Sequence, residues 1–187
     1  WEGMKELGLT GICFDEKWGG AGLDTLSYII AVEEISRVCA STGLTLAAHT
    51  SLGTYPIYAW GSEALKERYM TGLTAGDYMG AYGLTEPNAG SDSAGTITTA
   101  VRDGDDYIIN GQKCFITNGS YAKPFIITAQ TNSSLGSKGI VAIVIDRDPA
   151  AARKAVRQHM LTVSESLDRE RLADTKSRRL KELTQST

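Results

Sequence analysis

The sequence predicts an α+β multidomain chain: an N-terminal helical domain over residues 1–77, an antiparallel β domain over 78–147 and a helical tail over 148–187. Three observations carry this prediction. Apolar residues recur at helical spacing through the first part of the chain, and from Tyr78 the period shifts to β-branched runs separated by turn residues. Past Asp148 the composition changes: all 20 glycines and every aromatic lie before it, whereas the tail holds nine Lys and Arg against six Asp and Glu. Helices followed by a meander of strands argue for an all-α unit joined to a β unit rather than a βαβ sheet.

Each element has a local reason. Asp24 is placed to cap a helix carrying Leu26, Ile29, Ile30, Ile35, Val38 and Cys39 on one broad face, with Gly43 as the break that ends it. A second apolar stretch runs over residues 44–60, with Pro56 and Gly61 as interruptions, and Ser62 then caps a third helix containing Ala64, Leu65, Arg68 and Tyr69. Residues 96–102 are a β-branched strand. Asp103-Gly104-Asp105-Asp106 turns the chain, residues 107–110 return, and Asn110-Gly111 signals a second hairpin into residues 112–117. Residues 125–131 and 139–146 are further strands. In the tail, Asp148 and Pro149 start a helix whose Val156, Met160, Val163 and Leu167 form one narrow apolar stripe.

Composition excludes several functions. A net charge of −3 and a pI near 5.4 lack the basic excess that phosphate-backbone binding demands, so no nucleic acid partner is expected. Cys13, Cys39 and Cys114 are an odd number without C-x-x-C, which favours reduced thiols in a cytoplasmic setting. There is no run of 18 apolar residues and no signal-peptide pattern, so no membrane association is expected. The start at Trp1 rather than Met suits a partial product. Gly19-Gly20-Ala21-Gly22 lacks the third glycine of a dinucleotide fingerprint, no phosphate loop is present, and Ser91 and Ser93 fail the nucleophile-elbow pattern. His49 and His159 sit in no metal motif, so no metal is expected.

Two polar segments remain at the ends of predicted strands, residues 82–92 (Y-G-L-T-E-P-N-A-G-S-D) and 113–119 (K-C-F-I-T-N-G). A strand that opens into glycine, hydroxyl and amide groups suits a flat polar ligand approaching the backbone. On local chemistry alone, an irregular turn in which Thr85, Ser91 and Asp92 satisfy local backbone groups accounts for the first segment better.

The stretch 82–92 resembles the Y-x-x-T-E-P-x-x-G-S-D signature of the acyl-CoA dehydrogenases, and Phe115-Ile116-Thr117-Asn118-Gly119 resembles that family's second flavin segment. Residues 7–146 as a whole are similar to the family's later N-terminal helices and first middle-domain strands, most of all to its bacterial short-chain, butyryl-CoA branch. The resemblance implies that the β domain is an incomplete antiparallel β-barrel. It implies an oxidoreductase of fatty acid metabolism, a flavoprotein that uses FAD to remove two hydrogens from a short-chain acyl-CoA. Electron-transferring flavoprotein is the implied partner, a homo-oligomer the implied state of the full-length protein, and the bacterial cytoplasm its location.

Carried over residue by residue, Tyr82, Leu84 and Thr85 border the isoalloxazine, while Gly90 and Ser91 belong to the same cofactor segment, Ser91 lying where FAD and the acyl-CoA meet. Phe115 and Ile116 flank the ring from the other side, and Thr117 places its hydroxyl near N5. Phe115 stands where many relatives carry Trp, and Asn88 where Gly is frequent. The family's catalytic glutamate lies in a C-terminal helical domain without a counterpart here, so no catalytic residue is expected in this chain; Glu86 in T-E-P is structural in the family. A non-catalytic helical fragment that pairs through the tail stripe is the alternative.

Overall fold

A computed structural model of the chain describes residues 1–104 and 106–146. Five α-helices, α1 (Glu2–Glu6), α2 (Thr25–Val38), α3 (Ala40–Ala47), α4 (Tyr55–Trp60) and α5 (Glu63–Thr74), precede five strands. Between α3 and α4 the chain winds as a π-helix over Ala48–Thr54. The strands are β1 (Met79–Gly83), β2 (Thr99–Asp103), β3 (Asp106–Asn110), β4 (Ala122–Gln130) and β5 (Ile140–Asp146). Helix thus ends at Thr74 and strand begins at Met79, around the change of period at Tyr78. The tail helix and its stripe lie outside the described residues. No helix among the described residues is long and apolar enough to cross a membrane.

Local signals placed the helix starts. Asp24 Oδ1 accepts from the Ser27 amide at 2.8 Å, and Ser62 Oγ accepts from that of Leu65 at 3.3 Å, each satisfying an amide that the first turn leaves without a partner. Pro56 does not interrupt a helix but sits in the first turn of α4, where its missing N–H costs nothing. Gly43 is likewise not the break. The chain bends at Cys39, which is extended (φ −150°), and Gly43 lies inside α3, where a Cβ would come within 1.9 Å of Ser36 Oγ. Its lack of a side chain lets α3 fold tightly back on α2. The broad apolar face of α2 is only partly used: Ile35 is half-buried, whereas Leu26, Ile29, Ile30, Val38 and Cys39 stay exposed.

The sheet is mixed rather than antiparallel, which corrects the meander expected from the sequence. β2 and β3 form an antiparallel hairpin that closes with Asp103 opposite Asp106, Gly104 taking φ 61°. β4 and β5 are antiparallel from Pro124↔Asp146 to Gln130↔Ile140. β1, however, runs parallel to β4, with Tyr82 opposite Ile126, and β2 touches β4 in parallel sense at Thr99↔Gln130. The strand expected over 112–117 does not form, and Asn110-Gly111 makes no hairpin. The chain instead leaves β3 and crosses as an irregular segment to the start of β4, with Phe115 and Asn118 at positive φ. A long crossover of this kind is what parallel pairing requires. The described strands leave the sheet open, not closed into a barrel.

β4 explains why helices and sheet pack as one body. Its continuous apolar run is buried on both faces. Ile126 joins Phe14, Ile57, Tyr69, Met70 and Leu73 in the helical core, while Phe125, Ile127 and Ala129 point the other way into a second core with Ala81, Ala100 and Ala122. Arg68 of α5 pairs with Asp146 at the end of β5.

The pairing of β1 with β4 slips at Gly80: Lys123 and Pro124 of β4 together face this one residue, between Met79↔Ala122 and Ala81↔Phe125. Pro124 has no N–H to give the ladder. The π-helix lies directly over the slip, and a Cβ on Gly53 would stand 2.3 Å from the Gly80 carbonyl carbon. Backbone cannot swing aside as a side chain can, so Gly53→Ala is expected to destabilise the fold by about 3 kcal/mol, the upper end for overpacking, read as a lowered urea midpoint at unchanged slope.

Candidate functional site

The two sequence segments meet. Tyr82 and Leu84, with Thr85 just past β1, form one wall of a cavity of about 220 Å³, and Phe115, Ile116 and Thr117 form a second. Ala48 and Leu52 of the π-helix complete the lining. Tyr82 and Leu84 also face a neighbouring cavity of about 410 Å³, bounded by Ser93, Ala94, Thr128, Ser137 and residues 140–142. Six of the eight residues expected at the site are therefore gathered in one place. Gly90 and Ser91 are not: both are exposed and line neither cavity.

The polar character of the smaller cavity comes from hydroxyls. Thr85 and Thr117 line it, and neither side chain has a hydrogen-bond partner among the described residues. Apolar walls from Ala48, Leu52, Leu84 and Ile116 surround them. Phe115, at φ 56°, is 93% exposed. A left-handed backbone at a bulky residue costs energy, and an exposed phenyl ring returns none of it without a ligand to cover. The fit is to a flat heteroaromatic ring with polar edges and apolar faces. Burial raises the pKa of the Tyr82 phenol, which is therefore a neutral hydroxyl at the cavity wall.

No acid or imidazole lines either cavity. The nearest carboxylate in sequence, Glu86, is buried and fully engaged. It accepts from Lys113 Nζ at 2.7 Å and from the amides of Ile97 and Thr98 at 2.8 and 3.1 Å. Burial alone would raise its pKa; the hydrogen bonds from Lys113 and the two amides outweigh that and lower it to about 2. Lys113 spends its other two protons on the Leu84 carbonyl (3.1 Å) and Thr128 Oγ1 (3.0 Å). This ion pair joins the end of β1, the β4 strand and the crossover segment, and the Cys114 amide adds a bond to the Thr85 carbonyl at 2.9 Å. Beyond Glu86 the chain turns back on itself at Ala89 through two backbone bonds, with Pro87 and Asn88 at the tip.

His49 is a buried structural group. Its Nδ1 accepts from the Gly80 amide at 3.1 Å, which leaves Nε2 as the donor to the Leu73 carbonyl at 3.2 Å. Burial lowers its pKa to about 4, so the ring is neutral. Sequence reasoning gave no role to Ala48, Leu52, Lys113 or Asn118. The last two stand inside the quoted segment, yet their partners are distant in sequence; the first two carry no chemical signature at all.

Comparison with known proteins gives the family. The model of the acyl-CoA dehydrogenase N-terminal domain matches residues 1–77, and that of the acyl-CoA dehydrogenase middle domain matches residues 81–165. The chain belongs to the acyl-CoA dehydrogenase family. The family's middle-domain match runs past the boundary placed at residue 147. A short-chain specific acyl-CoA dehydrogenase of Clostridium acetobutylicum is 53% identical over 144 residues, 77% of this chain and 38% of that protein. The structure of butyryl-CoA dehydrogenase from Megasphaera elsdenii is similar at 45% identity and TM-score 0.72, over 76% of this chain and 39% of that one. An acyl-CoA dehydrogenase from Bacillus anthracis, complexed with FAD, is similar at 36% identity and TM-score 0.70, over 78% and 25% of the two chains. The chain thus spans about 38% of the length of the curated relatives it matches.

The two buried titrations set an acid response. Between pH 6.5 and 4 the unfolded chain takes up a proton at His49 that the folded chain refuses, so stability falls with pH through that window, by about 3 kcal/mol at pH 4. Glu86, whose folded pKa also lies below its unfolded value, adds a second loss between pH 4.5 and 2. Urea midpoints measured from pH 7 to 4.5 are expected to drop steadily, and His49→Gln, which keeps an acceptor and a donor, is expected to flatten that drop.

Proposed function

We propose that this chain is the flavin-binding portion of an FAD-dependent acyl-CoA dehydrogenase that acts on short-chain acyl thioesters. The observation that carries the reading is the cavity itself: the strand end at Tyr82, Leu84 and Thr85 and the crossover segment at Phe115, Ile116 and Thr117 enclose one ring-sized space with two unpartnered hydroxyls. The FAD complex of the Bacillus anthracis relative and the butyryl-CoA substrate of the Megasphaera elsdenii relative support it.

When bound, FAD supplies an acceptor for the hydride that leaves Cβ of the substrate. The chain's own residues hold and tune that acceptor. Tyr82, Leu84 and Thr85 border one side of the ring, Ile116 and Phe115 cover the other, and the Thr85 and Thr117 hydroxyls donate to its polar edges. A donor fixed where negative charge develops lowers the barrier without reorganisation at the moment of transfer. Gly90 and Ser91, on the exposed loop beyond Ala89, are assigned to the cofactor's outer portion, and Ser91 also to the acyl-CoA. Electron-transferring flavoprotein as electron acceptor, a homo-oligomeric full-length protein and a cytoplasmic location in a bacterium complete the proposal.

Removal of the α-proton needs a base within about 3 Å of it. Glu86 is not that base, because its carboxylate is held by three donors and faces neither cavity. The base therefore comes from outside the described residues. Accordingly, in the full-length protein, turnover of butyryl-CoA with an artificial electron acceptor is expected to survive Glu86→Gln; a variant that stays folded but loses all turnover would contradict this.

The full-length protein containing this segment is expected to be yellow and to bleach on anaerobic addition of butyryl-CoA. A colourless protein that FAD does not colour would refute the reading. In that protein Thr117→Val, which removes a hydroxyl at nearly constant volume, is expected to preserve the fold while slowing flavin reduction by roughly 10²-fold, measured by stopped-flow absorbance.

A further inference from the structure

Asn118 takes a left-handed conformation, φ 63°, and its side chain leaves the crossover segment altogether. Its Nδ2 donates to the Thr45 carbonyl on α3 at 3.0 Å and, at the longer distance of 3.5 Å, to the Gly80 carbonyl at the slip in β1. Both partners are carbonyl oxygens, so the amide nitrogen must be the atom that faces them. The backbone carbonyl of Asn118 accepts from the amides of Tyr121 and Ala122 at 2.9 Å, which starts β4. One residue therefore grips helix, slipped strand and new strand together.

The position of this grip is what matters. Immediately before Asn118 in the chain stand Ile116 and Thr117, one wall of the smaller cavity; three residues after Thr45 the π-helix begins at Ala48, which with Leu52 lines the same cavity. The Asn118 amide is thus a short strut between two walls whose separation decides how a ring is held. We propose that Asn118 is a positioning residue: it fixes the Thr117 hydroxyl and the Ile116 side chain relative to the π-helix wall, and so sets the geometry in which the cavity grips its ring. That this ring is a flavin rests on the reading given above; the strut itself does not.

The test uses the full-length protein in apo and flavin-loaded forms, with Asn118→Gly as the informative variant and Asn118→Asp as its companion. Glycine keeps the left-handed turn at no steric cost and removes both side-chain bonds; aspartate keeps the shape but turns an oxygen toward two carbonyls. In the apoprotein, amide exchange across residues 115–122 is expected to accelerate about tenfold in the glycine variant, with α5 unchanged. In the loaded protein the flavin visible circular dichroism is expected to change and reduction by butyryl-CoA to slow about tenfold, with substrate KM within twofold of the parent. Aspartate is expected to exceed glycine in each. Parental exchange and parental reduction in Asn118→Gly would overturn the proposal. So would a glycine variant that fails to fold, since Asn118 would then serve the whole fold rather than the cavity wall. If the parent binds no flavin, the function proposed above fails, and the apoprotein exchange still decides whether the strut exists.

Discussion

Everything around the cavity depends on how the backbone of Gly80 is satisfied. The pairing of β1 with β4 slips at Gly80, where β4 carries an extra residue and Pro124 cannot donate to the ladder. Two side chains meet the Gly80 backbone at this slip: His49 accepts from the amide and Asn118 donates to the carbonyl. One comes from the π-helix and the other from the crossover segment, the two parts of the chain that the cavity lies between. A defect in strand pairing is thereby turned into the joint that brings helical wall and crossover wall to the same place. The absence of a side chain at both Gly53 and Gly80 is what allows the π-helix to lie close enough for His49 to reach.

The Glu86–Lys113 pair works on a different principle. Two opposite charges are withdrawn from water, which is expensive, and the cost is offset only because nearly every proton and lone pair finds a partner. Such a site specifies one arrangement of three segments and tolerates no other. It also makes Glu86 a poor base at neutral pH, because the carboxylate is held near pKa 2.

What the sequence revealed was what local chemistry determines. Asp24 and Ser62 cap their helices because a cap is a matter of three residues, and the turn at Gly104 closes β2 onto β3 for the same reason. Six of the cavity residues were visible through two family motifs. The parallel pairing of β1 with β4 was not, because it joins strands about forty residues apart and the contacts around it, of His49 and Asn118 with Gly80, are scattered across the chain. Gly43 reads locally as a helix break, because glycine's local effect is to break helices; its actual use, the approach of α3 to α2, exists only in three dimensions. Gly90 and Ser91 belong to the same motif as Thr85 yet stand apart from the cavity, since a motif records adjacency along the chain and says nothing of where a loop turns.

The sharing of β4 between two cores has a consequence for how the chain is made. The helices are synthesised first, but Phe14, Ile57, Met70 and Leu73 complete their packing only against Ile126. On the ribosome a nascent chain that has emerged only as far as α5 presents an apolar surface that Ile126 of β4 covers later. The helical portion must wait in an incompletely packed state until the fourth strand appears, which exposes it to chaperones and to misassembly for the whole interval. A lesion in the crossover segment, far from any helix in sequence, would prolong that exposure and so lower the yield of the helical layer.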